Sequence, residues 1–236
     1  SEGINEAQRA MLATTNLNDE KGGLADAMAG ADIFVGVSAP GIVSAEMVQS
    51  MNEDAILFAM ANPTPEIFPD VARAAGARVV GTGRSDFPNQ VNNVLAFPGI
   101  FRGALDCGAR AINEEMKLAA VRAIAGLAKL PVPSVVNAAY DMTGVGFGRE
   151  YILPKPLDPR LLTTVAPAVA RAAISSGVAR KEITDWEQYN EKLNRLMGYD
   201  SKLMRRFSEL AKANPRRVVF GEGNTDNMLL AAVEAC

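Results

Sequence analysis

No histidine occurs among the 236 residues. That absence removes the commonest general base and the commonest metal-binding side chain. Neither a Ser-His-Asp triad nor a His-ligated zinc site can be built from this chain, so proton transfer must use Lys, Tyr, Asp, Glu or a neighbouring chain. Cysteine is almost as scarce. Cys107 and Cys236 have neither metal-type spacing nor the look of a disulfide framework, and Cys107, which follows a helical apolar run, reads as a small core residue. Long apolar runs are missing as well: none reaches the roughly eighteen residues of a membrane helix, and no secretory leader is legible. A cytoplasmic protein is the expectation. Charge of one sign is not in excess either. A formal net charge of −3, without a stripe of Lys and Arg, argues against a nucleic-acid backbone as partner.

What is present suits a globular α/β protein. A content of 48% hydrophobic and 22% charged residues is able to bury a core, and the length allows one large domain, or one domain and a piece of another. After a polar opening, residues 24–28 read as a short helix and a repeating unit begins. "ADIFVGVS" (31–38) reads as a buried strand and "SAEMVQSM" (44–51) as a helix capped by Ser44. "AILFAMAN" (55–62) is a second strand, 66–76 holds a helix closed by Gly76, and 78–83 is a third strand. Strands alternating with short helices predict a parallel sheet of βαβ units. In such a sheet all carboxyl ends face one edge, where ligands bind. Three turns should therefore meet there: Ser38-Ala39-Pro40-Gly41, Asn62-Pro63-Thr64-Pro65 and Thr82-Gly83-Arg84-Ser85.

The segment "GRSDFPNQVNN" (83–93) follows the third strand and carries four amides in front of an apolar run. On a helix, Asn89, Asn92 and Asn93 would share a face, aimed at a polar ligand above the same edge. The alternative is local: Asn89 as a helix cap, Asn92 and Asn93 bonding loop backbone. Further on, helices are expected over 101–109, 113–129 (capped by Asn113, with Met116, Ala120, Ile124 and Leu127 as core), 159–177 and 185–198, with 130–160 mostly loop. Gly144-Val-Gly146-Phe-Gly148 follows no strand and opens no helix, so it is no phosphate loop. From about residue 199 the composition shifts. A helix, a strand at Arg217–Phe220 and a last helix still running at Cys236 read as the start of a second α/β domain, and the whole as an internal fragment.

The stretches "ADIFVGVSAPGIV", "FAMANPTPEIFPD", "GTGRSDFPNQVNNVLAFPGIFRGALD" and "INEEMKLAAVRAIAGLA" resemble the C-terminal half of the nucleotide-binding domain of bacterial malic enzymes. The similarity runs from about Gly22 to Tyr199, and the segment from Ser201 resembles the beginning of the phosphate acetyltransferase-like domain fused to the large members. This implies a domain at 1–199, belonging to a Rossmann-type doubly wound parallel sheet with additional helices, and the start of another at 200–236. It implies oxidative decarboxylation of L-malate to pyruvate and CO2, with NADP (or NAD) as hydride acceptor and Mg2+ or Mn2+ as the metal. It further implies a homo-oligomer, with an acetyl-CoA-type effector acting through the second domain.

Residue by residue, the resemblance assigns Asn62 to the nicotinamide side of the cofactor site, and Ser38, Ala39 and Gly41 to the turn crossed by its ribose and pyrophosphate. Asn93 corresponds to an amide that binds a malate carboxylate, with Asn92 beside it. The family's Tyr acid, Lys base, acidic metal ligands and Gly-rich loop are expected before Ser1, so no catalytic or metal-binding residue is expected in this chain, and the chain alone should be inactive. Tyr140, Tyr151, Lys117 and Lys155 match none of these roles. Glu66 and Asp86 match no metal position and are expected in a salt bridge or turn, and Arg84 is open to two readings, facing an anion or pairing internally with Asp86 or Asp106. Two other readings stand beside this one: an acetyl-CoA-sensing or phosphate acetyltransferase protein, and a non-catalytic nucleotide-binding module.

Overall fold

The computed structural model describes residues 5–142 and 145–197. Two units divide at Trp186/Glu187. The expected Gly198 helix stop, the strand at 217–220, the final helix and the 200–236 domain lie outside the described residues.

β1 (Ile33–Gly36), β2 (Ile56–Ala59) and β3 (Val79–Thr82) form a parallel sheet in the order β1-β2-β3. Parallel neighbours need a crossover, and two short helices supply it: α3 (Ala45–Gln49) and α4 (Pro69–Ala74). Both obey local rules. Ser44 accepts the N–H of Met47 at 3.3 Å, as expected of its cap, and Pro69 opens α4, where its missing N–H costs nothing. α2 (Leu24–Met28) falls where expected, and a helix at Glu6–Met11, α1, stands in the polar opening, closed by a reciprocal Asn5–Gln8 capping box.

The strands are four residues each, shorter than their apolar runs, and β1 is not the buried strand that its composition suggests. Ile33, Val35 and Val37 are 57%, 59% and 76% exposed. Alternate residues of a strand face opposite sides, and the described helices cover only one of them. That side forms one core with Met28, Val48, Leu57, Ala72 and Val80.

A second core is helical. α5 (Phe97–Asp106) and α6 (Glu114–Ala128) both pack on α8 (Arg160–Ser175), and the core positions expected of α6 are buried together with Cys107. Asn113 caps α6 through the N–H of Met116, at 3.1 Å. α5 approaches α8 closely because two of its residues have no side chain. A Cβ on Gly103 would lie 2.5 Å from the carbonyl oxygen of Ala166, and one on Gly99 would lie 2.6 Å from Cβ of Val165. A short α7 (Ser134–Ala139) interrupts the stretch expected as loop, started by Pro133 with its φ preset at −62°. α9 (Trp186–Leu196), whose residues from Glu187 onward belong to the second unit, is amphipathic by itself.

No α-helix carries the three asparagines. Asn89 has φ +56°, left-handed backbone that a right-handed helix excludes, and residues 93–95 make only a single 3-10 turn. α5 starts beyond them, four residues earlier than expected, with Pro98 in its first turn.

Candidate functional site

Gly36, Ala59 and Thr82 are register partners across the three strands, so the strands end level. Two residues past Gly36 lies Ser38, and three past Ala59 lies Asn62. Ser38, Ala39, Gly41 and Asn62 are all exposed. Gly41 adopts φ +68° with open space where a side chain would stand, so the turn is shaped by a conformation glycine takes without strain. The N–H of Ala39 has no partner among the described residues.

Glu66 holds these turns together. It is fully buried, 0% exposed, and meets no cation among the described residues. Instead Oε1 accepts the backbone N–H of Ser38 at 2.8 Å and its hydroxyl at 3.3 Å, while Oε2 accepts the N–H of Ala61 at 3.0 Å. Backbone bonds extend the clamp: Gly41 N–H to Pro65 O at 3.0 Å and Val43 N–H to Glu66 O at 3.1 Å. Burial by itself would raise the carboxyl pKa, yet the donors from Ser38 and Ala61 outweigh it and hold the group below its ordinary value. Of the two expected roles, salt bridge or turn, Glu66 takes the turn. The space is reserved by Gly36, where a Cβ would sit 2.6 Å from Glu66 Cδ.

The amide cluster separates into two parts. Asn89 is buried and spends its whole side chain on backbone. Nδ2 donates to Val80 O at 3.1 Å and Arg149 O at 2.7 Å, and Oδ1 accepts the N–H of Ile152 at 3.0 Å. It is therefore not aimed at a ligand, and the shared helical face fails for it. It is a latch, fastening segment 149–152 to β3; the sequence signal was an amide, one of the few side chains that tolerates left-handed backbone. Beyond it the chain bonds to the end of β3 through Val91 N–H to Thr82 O at 2.8 Å, which carries Asn92 and Asn93 to the carboxyl edge. Asn92 is half-buried and its Oδ1 accepts the N–H of Val94 at 3.0 Å. Its Nδ2 has no partner among the described residues, so two N–H donors remain available. Asn93 is exposed.

Arg84 resolves to Asp86, with bonds of 2.9 and 2.7 Å, and its guanidinium lies 5.7 and 5.8 Å from the ring centres of Phe68 and Phe87. That hydrogen bond raises the Arg84 pKa and lowers the Asp86 carboxyl below its usual range. Asp106 pairs instead with Arg102. Lys117 pairs with Glu114. Lys155 sits 5.3 Å from the centre of the Tyr140 ring, and burial lowers its pKa. Tyr151 is 1% exposed, and burial raises its pKa. Burial likewise raises the Cys107 thiol; Cys107 is core. Among the described residues, no three acidic or thiol side chains gather as a metal requires.

Level strand ends, turns of small residues and exposed amides around them define an α/β nucleotide-binding domain of Rossmann type. Residues 7–135 match the family described as malic enzyme, NAD binding domain; the chain belongs to that family. It is 53% identical over 211 residues to an NAD-dependent malic enzyme of Rhizobium meliloti (strain 1021), covering 89% of this chain and 27% of that protein. It is 50% identical over 219 residues to an NADP-dependent malic enzyme of Escherichia coli (strain K12), covering 92% and 29%. The chain thus spans less than a third of the length of these curated relatives. Among solved structures, the malic enzyme from Pyrococcus horikoshii Ot3 matches at TM-score 0.67 and 39% identity, over 83% of this chain and 41% of that one. The Entamoeba histolytica malic enzyme matches at 0.70 and 34%, over 97% and 44%.

Proposed function

We propose that this chain supplies the nicotinamide-side and malate-binding half of an enzyme that oxidatively decarboxylates L-malate to pyruvate and CO2, reducing NADP or NAD. One observation carries the reading. The level ends Gly36, Ala59 and Thr82 place the Ser38 turn, the Asn62 turn and the Asn92–Asn93 pair along one edge of the sheet.

The residues present fit a dinucleotide. Gly41 leaves open space over its turn, Ala39 is small and exposed, Ser38 is held by Glu66, and Asn62 presents an exposed amide beside it. When bound, the nicotinamide accepts the hydride from C2 of malate. Asn93 holds a malate carboxylate, and Asn92, its oxygen spent on Val94, turns its NH2 toward the same anion. Hydrogen bonds to a charged group are the stronger kind, and neutral amides orient the carboxylate without adding a charge near the departing hydride. The described residues do not form the metal site that the family's chemistry implies, so no step is assigned to a metal, and the acid and base are assigned to no residue of this chain. NADP is the acceptor that the resemblance favours. The same reading makes the enzyme a cytoplasmic homo-oligomer with an acetyl-CoA-type effector; among the described residues no helix is long and apolar enough to cross a membrane.

The test uses initial rates of the protein that carries this chain, with NADP and NAD in parallel. Asn93→Ala is expected to raise the malate KM by about 5- to 150-fold, the equivalent of about 1–3 kcal/mol. Asn62→Ala is expected to lower turnover and cofactor affinity together. An unchanged malate KM in the first variant, or unchanged cofactor kinetics in the second, would remove that residue from the site.

A further inference from the structure

Arg73, in the last turn of α4, Arg78, the residue before β3, and Arg149 line one cavity of about 330 Å3 together with Ala77, Asn89 and Glu150. It lies beside the entry to β3, at the opposite rim of the sheet from Ser38 and Asn62. Three arginines and a single acidic residue thus line it, in a chain whose net charge is −3.

The guanidinium groups are only partly spent. Arg73 donates Nε to Pro69 O at 3.3 Å and Nη1 to Glu150 at 2.9 Å; Arg78 donates Nη1 to Asp54 at 2.8 Å. A guanidinium carries five N–H donors, so each keeps its Nη2 group unused among the described residues. Arg149 has no side-chain bond or ion pair with any described residue, and its position is set through its backbone, whose carbonyl is latched by Asn89 at 2.7 Å. The competing carboxylates are weak rivals: Glu150 and Asp54 are 68% and 67% exposed, where an ion pair contributes little. Asn89 has no N–H donor left for an anion and serves as wall.

We propose that this cavity binds a small phosphate-bearing anion, its phosphoryl group held by Arg73, Arg78 and Arg149. Three arginines supplied by separate segments around one cavity suit a tetrahedral dianion with several oxygens, whereas a planar carboxylate is already satisfied by one bidentate guanidinium. The volume falls within the range of small-molecule sites, and Ala77, Val80 and Pro88 offer apolar contact to an organic remainder. The proposal is independent of the roles given to Asn62 and Asn93.

The experiment titrates the full chain with inorganic phosphate, phenyl phosphate and succinate at one fixed ionic strength, read by calorimetry and by the backbone amide signals in NMR. Expected is saturable binding of a phosphate probe, with shifts centred on Ala77, Arg78, Arg149 and Glu150, weakened about tenfold or more by Arg149→Gln. Tighter binding of phenyl phosphate assigns a phosphomonoester as ligand, and equal binding assigns free phosphate. Because the Arg149 side chain is exposed, the variant should keep the parent's unfolding temperature, and Arg149→Lys should recover part of the affinity. No saturation by either phosphate, equal binding of succinate, unaltered affinity in Arg149→Gln, or shifts centred on Ser38–Gly41 instead would overturn it.

Discussion

The carboxylate of Glu66 accepts the backbone N–H of Ser38 across 28 residues of sequence, at 2.8 Å. With its second oxygen on Ala61 it ties the turn after β1 to the turn after β2. Glu66→Gln removes one of the two acceptors and places an N–H against a buried N–H. We expect a loss of stability of about 1–3 kcal/mol, read by chemical denaturation of the chain, and weaker dinucleotide binding in the protein that carries it. A variant as stable as the parent would show that the clamp is incidental.

The same group sets a pH dependence. Its folded pKa lies below the ordinary glutamate value, so its stabilisation is present above the unfolded pKa of about 4.3 and is lost as pH falls through the lower folded value. The stability difference between parent and Glu66→Gln should therefore be largest near neutrality and shrink in acid. A difference that stays constant down to about pH 3 would contradict the shift.

Asn89 joins side-chain and backbone requirements in one position. Asn89→Ala leaves Val80 O, Arg149 O and Ile152 N–H without partners and adds strain at φ +56°. The expected loss is about 3 kcal/mol or more. Asn89→Gly relieves the strain alone, so it should recover only about 1 kcal/mol. Full recovery by glycine would mean that the latch contributes nothing.

Gly103→Ala tests the helical core. Its new methyl group would meet Ala166 O and Val169 Cβ, at 2.5 and 2.9 Å, so α5 and α8 must separate. A cost of about 1–3 kcal/mol is expected. The comparison is Gly126→Ala in α6, where nothing lies within 4 Å and alanine's higher helix propensity should stabilise. Equal effects of the two substitutions would mean that helix packing is looser than described.

Local rules made much of this molecule legible from its residues. Apolar runs alternating with short helices and small-residue turns determined three parallel strands whose carboxyl ends share one edge, because a strand-helix-strand repeat has few other ways to bury its apolar faces. Ser44 and Asn113 marked helix starts, since a side-chain oxygen there satisfies an otherwise orphaned N–H. Met116, Ala120, Ile124 and Leu127 fell on one helical face, and that face is buried. Other outcomes were decided only in three dimensions. Whether Glu66 met a cation or the N–H groups of two turns depended on which turns the sheet brought beside it. Asn89, Asn92 and Asn93 are the same chemistry within five positions. One became a buried latch because segment 149–152 passes it, while the other two reached the edge because Val91 bonds to Thr82. The exposed face of β1 has the same origin: a residue's side of the strand is local, but what covers that side comes from distant chain.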